Sequence, residues 1–257
     1  MANIEFPSDY EPHWSNYLNQ FNLPEYYFQN IPSTTSKYCV IVEPREHPFL
    51  IPVIKNFMFL LQHKGYGLII FHGTKNESFV KTALEGWPNV KYHNLNTPNL
   101  TLTEYNDLYK SISFWDILLS HNCDHALTFE TDSVLLKDTI DDYLQYDYIG
   151  APWKDVHPGM KHLIIGNSGF CLRKPAIMKQ IIAIHGNTSR YQNNDGYFAV
   201  YLKNYRYKIP SFEIAKTFSV ETAYDSDPCG MHKPWLNRFP AGEFERIMSK
   251  RHNIPPV

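Results

Sequence analysis

Nowhere does the chain offer about 18 consecutive apolar residues, the length a helix needs to span a bilayer. Its richest apolar stretch, Phe49 to Leu61, is interrupted by Pro52, Lys55 and Asn56. The opening residues carry neither a basic n-region nor an apolar h-region, so no secretory signal is read there. Cysteine is scarce, and Cys39, Cys123, Cys171 and Cys229 lie far apart, with no C-x-x-C pair and no histidines at zinc-finger spacing. That excludes a disulfide framework or zinc ribbon and points to a reduced compartment. A basic excess is missing too: 24 Lys and Arg against 26 Asp and Glu leave a net charge of −2. A dedicated nucleic-acid binder is thereby disfavoured, and any anionic ligand has to be met by local groups. Repeats, low-complexity tracts and Pro/Gly/Ser linkers are absent as well. The expectation is a soluble, cytoplasmic protein with no membrane span and no nucleic-acid partner.

What the chain does have is length and rings. Its 257 residues, 43% of them hydrophobic, suffice for a core without disulfides or a structural metal. Aromatics reach 15%, with 18 Tyr and 16 Phe, suited to dense packing or to sugar stacking. Residues 1–36 read as an aromatic N-terminal extension, anchored on the body by Trp14, Tyr17, Phe21, Tyr26, Tyr27 and Phe28. From Lys37 the pattern alternates: strands at 38–43, 68–72, 89–94 and 125–129, separated by helices at about 47–64, 76–87 and 103–120, the last capped by Thr103. Strand 38–43 is a short β-branched run, and 125–129 is apolar at nearly every position, as in a central strand buried on both faces. The pattern predicts an α/β fold, a mostly parallel central sheet flanked by helices, with ligands at the carboxyl ends of the strands. The second half is less regular, with a strand at 148–151, the run 163–173, and helices near 175–185, 195–204 and 242–251.

The sharpest chemical feature is Phe129-Glu130-Thr131-Asp132-Ser133, which ends the buried strand. Along an extended chain residues i and i+2 point the same way, so Glu130 and Asp132 aim two carboxylates at one place. A divalent cation makes that arrangement favourable, and a carboxylate–cation–diphosphate bridge is its natural use. The alternative is an ordinary acidic strand end. Near the C-terminus, His232 can supply an imidazole to the same cation and Lys233 can neutralise phosphate oxygens. Two carboxylates and an imidazole suit Mn²⁺ at least as well as Mg²⁺.

These residues resemble those of metal-dependent glycosyltransferases of the GT-A fold, in which an acid-x-acid motif ends a central strand and a late His completes the metal site. The closer resemblance is to an uncharacterised glycosyltransferase-like family, through Thr131-Asp132-Ser133, Tyr148 to Trp153, Gly166 to Arg173, and His232 to Trp235. It covers about residues 37–236. One departure is Glu130, where the motif has Asp, which makes Asp132 the expected direct ligand. The resemblance implies a GT-A-like domain over 37–257, with a nucleotide-binding half at about 37–133 and an acceptor half at about 134–257. It sets Glu43, Arg45 and Thr131 beside the nucleotide, together with Lys233; Arg45 equally suits an ion pair with Glu43 or Glu46. Gly166, Asn167, Ser168 and Gly169 are similar to the segment bordering the donor sugar, and Trp153 stacks on a sugar or packs in the core. Asp195 matches the position of the acceptor-activating base of inverting enzymes, while Asn194 replaces the acid that often precedes it. Asp195 equally suits a helix cap.

The function so implied is transfer of a sugar from a nucleoside-diphosphate sugar, a UDP-sugar first, to a hydroxyl of a glycan or glycoprotein. Loops near 155–162 and 224–234 are the expected lids. Two other readings stand beside it. One is a catalytically degenerate nucleotide- or carbohydrate-binding protein; the other, a sugar-nucleotide pyrophosphorylase, is disfavoured because residues 43–48 hold no glycine. N-x-S/T triplets at Asn76, Asn99 and Asn187 carry little weight.

Overall fold

The computed structural model describes residues 7–154, 166–187, 192–236 and 239–254. Four runs of β-branched and aromatic residues form parallel neighbours: β1 (Lys37–Glu43), β2 (Tyr66–His72), β3 (Val90–Asn94) and β4 (His125–Phe129). Two later strands, β6 (Tyr148–Gly150) and β7 (Phe170–Arg173), extend the sheet to the order β3-β2-β1-β4-β7-β6. Only β7 runs against the rest, pairing antiparallel with both β4 and β6. The expected mostly parallel α/β sheet is therefore present.

Every residue of β2 is buried, because the sheet is covered on both faces. Alternate residues feed two cores. Cys39, Ile41, Leu68 and Ile70 join α1 (Glu11–Asn19), α2 (Leu50–Leu61) and α9 (Glu243–Met248) on one side. Val40, Val42, Ile69 and Phe71 join α4 (Leu102–Tyr109), α5 (Ile112–Ser120), α6 (Pro175–His185) and α7 (Asn194–Asn204) on the other. The N-terminal segment belongs to the first core: Trp14, Tyr17, Phe21 and Phe28 are fully buried. No helix among the described residues is long and apolar enough to cross a membrane.

The single helix expected over 103–120 is instead two. Thr101, not Thr103, caps the first, in a reciprocal capping box with Glu104. Ser111 adopts an extended backbone and its Oγ accepts from Phe114 N, which starts the second. Apolar periodicity conceals the break because Tyr105, Tyr109, Phe114 and Trp115 face one core.

A second, smaller sheet has the order β5-β9-β8, from β5 (Ser133–Leu135), β8 (Ser219–Val220) and β9 (Gly230–His232). Its edge strand borrows a partner from α2: Asn56, fully buried, accepts from Leu135 N at 2.8 Å and donates to Leu135 O at 2.9 Å. Tyr17 donates to the same carbonyl at 2.6 Å. Asn56→Leu leaves Leu135 N–H buried without an acceptor, at a cost of about 1–3 kcal/mol. A lowered urea midpoint at unchanged slope is the expected result.

Candidate metal centre

The two sheets meet at the carboxyl edge of β1 and β4. Ile41 pairs with Phe129 and Phe129 with Phe170, so residues 43–45, 130–132 and 166–169 all emerge there. Beneath them Phe57 stacks on Phe129 at 4.0 Å and Phe170 on Phe218 at 4.8 Å, a rigid apolar floor. After β4 the chain turns tightly: Ser133 N donates to Glu130 O at 3.0 Å, and Glu130 N and Ser133 Oγ both donate to Gly169 O. Antiparallel pairing then sets Ser133 opposite His232, so β9 carries the imidazole to the acidic turn. Lys233 follows with a positive φ of 43°, unusual for a side-chain-bearing residue, and its N–H donates to Asp132 O at 3.1 Å.

The result is one cluster. His232 Nε2 lies 3.3 Å from Asp132 Oδ1 and 3.7 Å from Glu130 Oε2, and one ligand atom from each of the three falls within 4.8 Å of the others. Asp132 and His232 are each 2% exposed. Both Asp132 oxygens and His232 Nε2 are buried without a hydrogen-bond partner. Buried polar groups are normally satisfied, and a carboxylate with neither oxygen bonded is costly. Two carboxylates and an imidazole are the donors a hard or borderline divalent cation takes, so the cluster is able to coordinate a metal ion.

Around it the charges compensate. Lys233 Nζ stands 3.6 Å from Asp132 Oδ2 and 3.9 Å from Glu130 Oε2. Glu130 also accepts from Tyr105 OH at 2.9 Å. Burial alone would raise the Glu130 carboxyl, but Lys233 and His232 outweigh it and hold it well below the usual carboxylate range. Burial likewise opposes a charge on His232, yet Asp132 foremost pushes its pKa well above the ordinary imidazole value.

The other anticipated residues fall around this point. Thr131 lies within the acidic turn, nearly buried. Arg45 is engaged by Glu43 in a bidentate pair, Nε to Oε1 and Nη2 to Oε2 each 2.8 Å, while still feeling the charges of Asp132 and Glu130. Gly169 sits directly against the His232 ring. Gly166 packs under Trp153, which is half-buried against Ala199 and Val200. Ser168 Oγ accepts from Asn194 Nδ2 at 3.4 Å. Asn194 is buried, its amide divided between Asn106 and Arg173. Asp195, in the first turn of α7, accepts from Gly196 N at 2.6 Å through Oδ1. Burial first, then the charges of Glu221 and Glu130, raise its pKa to about 6. The suggested lid at 155–162 lies outside the described residues. In the other, Tyr224 OH donates to Glu243 and Lys137 pairs with Asp227.

Three site residues escaped the sequence. Asn76 is fully buried and donates to Glu43 O and Arg45 O, both at 2.8 Å, fixing the turn after β1; its N-x-S context is incidental. Arg173 is fully buried among the rings of Tyr109, Tyr148, Phe198 and Trp115, at 5.0–5.8 Å. Glu221 accepts from Asn167 Nδ2 at 2.6 Å and contacts His232 Nδ1 at 3.1 Å. Its only signal was position: it follows β8 as Glu130 follows β4.

A family model described as "Protein of unknown function (DUF5672)" matches residues 89–232, more than half of the chain. The chain belongs to this family. The match to DUF5672 runs from the start of β3 to His232, so it takes in Glu130, Asp132, Asp195 and Glu221, and leaves Glu43 and Arg45 outside. No curated protein matches the chain. Among solved structures, the apo form of the glycosyltransferase GlyE from Streptococcus pneumoniae TIGR4 is similar over 84% of this chain, at 11% identity and a TM-score of 0.49. The DUF5672 chain spans 59% of that protein's length.

Proposed function

We propose that the chain is a metal-dependent glycosyltransferase, moving a sugar from a nucleoside-diphosphate sugar, UDP-sugar first, to a hydroxyl of a glycan or glycoprotein. The observation that carries this reading is the buried trio of Asp132 Oδ1, Asp132 Oδ2 and His232 Nε2, none with a hydrogen bond, at the carboxyl edge of a mostly parallel sheet. Asp132, His232 and Glu130 would hold Mn²⁺ or Mg²⁺, which supplies Lewis-acid stabilisation of charge on a leaving diphosphate. Lys233, only 25% exposed in its side chain, offers a point charge to phosphate oxygens beside the cluster. Arg45 turns its guanidinium to the same edge, pre-oriented by Glu43 and by the Asn76 clamp. The resemblance of the acid-x-acid strand end and the late histidine to those of GT-A enzymes supports the sugar donor.

Asp195 takes the acceptor proton in this reading, which implies inversion at the sugar. One carboxylate oxygen bonds Gly196 N, and the other serves as base. The base works only deprotonated, so turnover falls as pH drops below about 6. Asp195→Asn is expected to keep cation and nucleotide affinity while losing turnover by about 10²–10⁴-fold, read as donor consumption with and without acceptor. A variant that turns over like the native chain removes Asp195 from this role.

A second reading, a binding protein of the same fold without turnover, has Asn194 in its favour. That position holds a structural amide locked between Arg173 and Asn106 rather than a second acid. Thermal stabilisation by UDP with Mn²⁺, followed by donor hydrolysis, separates the two: both readings need the first, only the transferase the second. No stabilisation by UDP, GDP or CDP at saturating Mn²⁺ overturns the donor site.

A further inference from the structure

His232 is flanked by carboxylates at both ring nitrogens. Nε2 faces Asp132 and Glu130, while Nδ1 lies 3.1 Å from Glu221 Oε1. The two nitrogens diverge, so Glu221 stands behind the ring, away from the point on which Asp132 and Nε2 converge. Glu221 is 5% exposed, and Oε1 also accepts from Asn167 Nδ2 at 2.6 Å. An ionised carboxylate only accepts hydrogen bonds, so the His232 nitrogen it meets has to be the donor. With a cation at Nε2 the imidazole keeps one ring proton; held on Nδ1, that proton leaves the Nε2 lone pair to the cation.

The support continues outward. Asn167 presents Nδ2 to Glu221 because its Oδ1 accepts from Gly169 N at 3.1 Å. Gly169 in turn lies flat against the imidazole, where a side chain has no room. The turn 167–169 thus touches His232 twice, once through the Glu221 carboxylate and once by contact with the ring.

We infer that Glu221 is a positioning residue for the metal centre: it holds the proton of His232 on Nδ1 and presents Nε2 to the cation, with Asn167 fixing Glu221. The inference rests on the metal-centre reading above. It assigns Asn167 to the cation site rather than to a sugar hydroxyl. It also explains how two residues of different strands, Glu221 after β8 and His232 at the end of β9, act as one unit. Carboxylates behind a ligating histidine raise its basicity and orient it, and their loss commonly weakens metal affinity 10–100-fold.

The test is Mn²⁺ titration calorimetry on the full chain and on Glu221→Gln, with the metal-free melting temperature as control. Glutamine keeps the shape and an acceptor oxygen but loses the charge. The expected result is 10–100-fold weaker Mn²⁺ binding with a metal-free melting temperature within a few degrees of native. In parallel, ¹⁵N spectra of histidine-labelled native chain loaded with Zn²⁺, a diamagnetic probe, are expected to show His232 bound through Nε2 and protonated at Nδ1. Equal Mn²⁺ affinity in both chains overturns the role of Glu221 and leaves the metal centre standing. Zinc bound through Nδ1 overturns it as well, and this spectrum decides the matter should Glu221→Gln fail to fold. A native chain that binds neither cation overturns both the inference and the reading beneath it.

Discussion

Asp132→Asn is expected to abolish stabilisation of the chain by UDP and Mn²⁺. Ligand at 100 times its dissociation constant adds about 2.7 kcal/mol, which for a chain of this size is roughly 5–10 °C in melting temperature. The native chain should show that shift and the variant none, because Asp132 offers a buried carboxylate oxygen 3.3 Å from His232 Nε2 that no hydrogen bond holds elsewhere. Glu130 is tied through Oε1 to Tyr105, so removal of its charge should weaken the cation less than removal of Asp132. The metal-free melting temperatures control for folding. A metal-dependent shift that survives in Asp132→Asn moves the cation elsewhere and takes the diphosphate site with it.

Gly169→Ala is expected to act as strongly with a smaller change. A β-carbon at that position would occupy the space of the His232 imidazole. The ring is held from behind by Glu221 and by the β5–β9 pairing, so it cannot retreat without breaking that support. Overpacking of this kind costs about 1–3 kcal/mol. The variant should therefore melt lower without metal and gain nothing when Mn²⁺ is added. Calorimetric titration checks the second effect, and a Mn²⁺ affinity within twofold of native contradicts it.

The large sheet was readable because of how its strands are buried. β1, β2 and β4 lie under helices on both faces, so each is a nearly continuous apolar run that no surface helix would show. The acidic turn was readable for a related reason, since two carboxylates directly after such a run have little purpose in a core. Other parts lacked any periodic signal. β5, β8 and β9 are two or three residues long, too short for an alternation to register, yet they bring His232 to Asp132. Glu221 and Asn76 work through hydrogen bonds to groups 11 and more than 30 residues away, a relation no local pattern encodes. Arg173 inverts the usual expectation outright, a guanidinium with no exposed surface, held by four aromatic rings and the Asn194 amide. Trp14 and Tyr17, expected to anchor the N-terminal segment on the body, lie within the main core, because α1 packs on both α2 and α9.

The pairing of Ser133 with His232 joins positions about one hundred residues apart in the chain. A cation shared by Asp132 and His232 therefore closes a long loop, as a cross-link would, and clips that span long loops restrict the unfolded chain most. The strands that carry the ligand are very short, so that clip would add to the Asn56 bridge and to the core contacts of Val134, Val220 and Met231 in keeping the small sheet in register. Chelation should then be felt first as faster amide exchange in residues 219–232, well before the central sheet loosens.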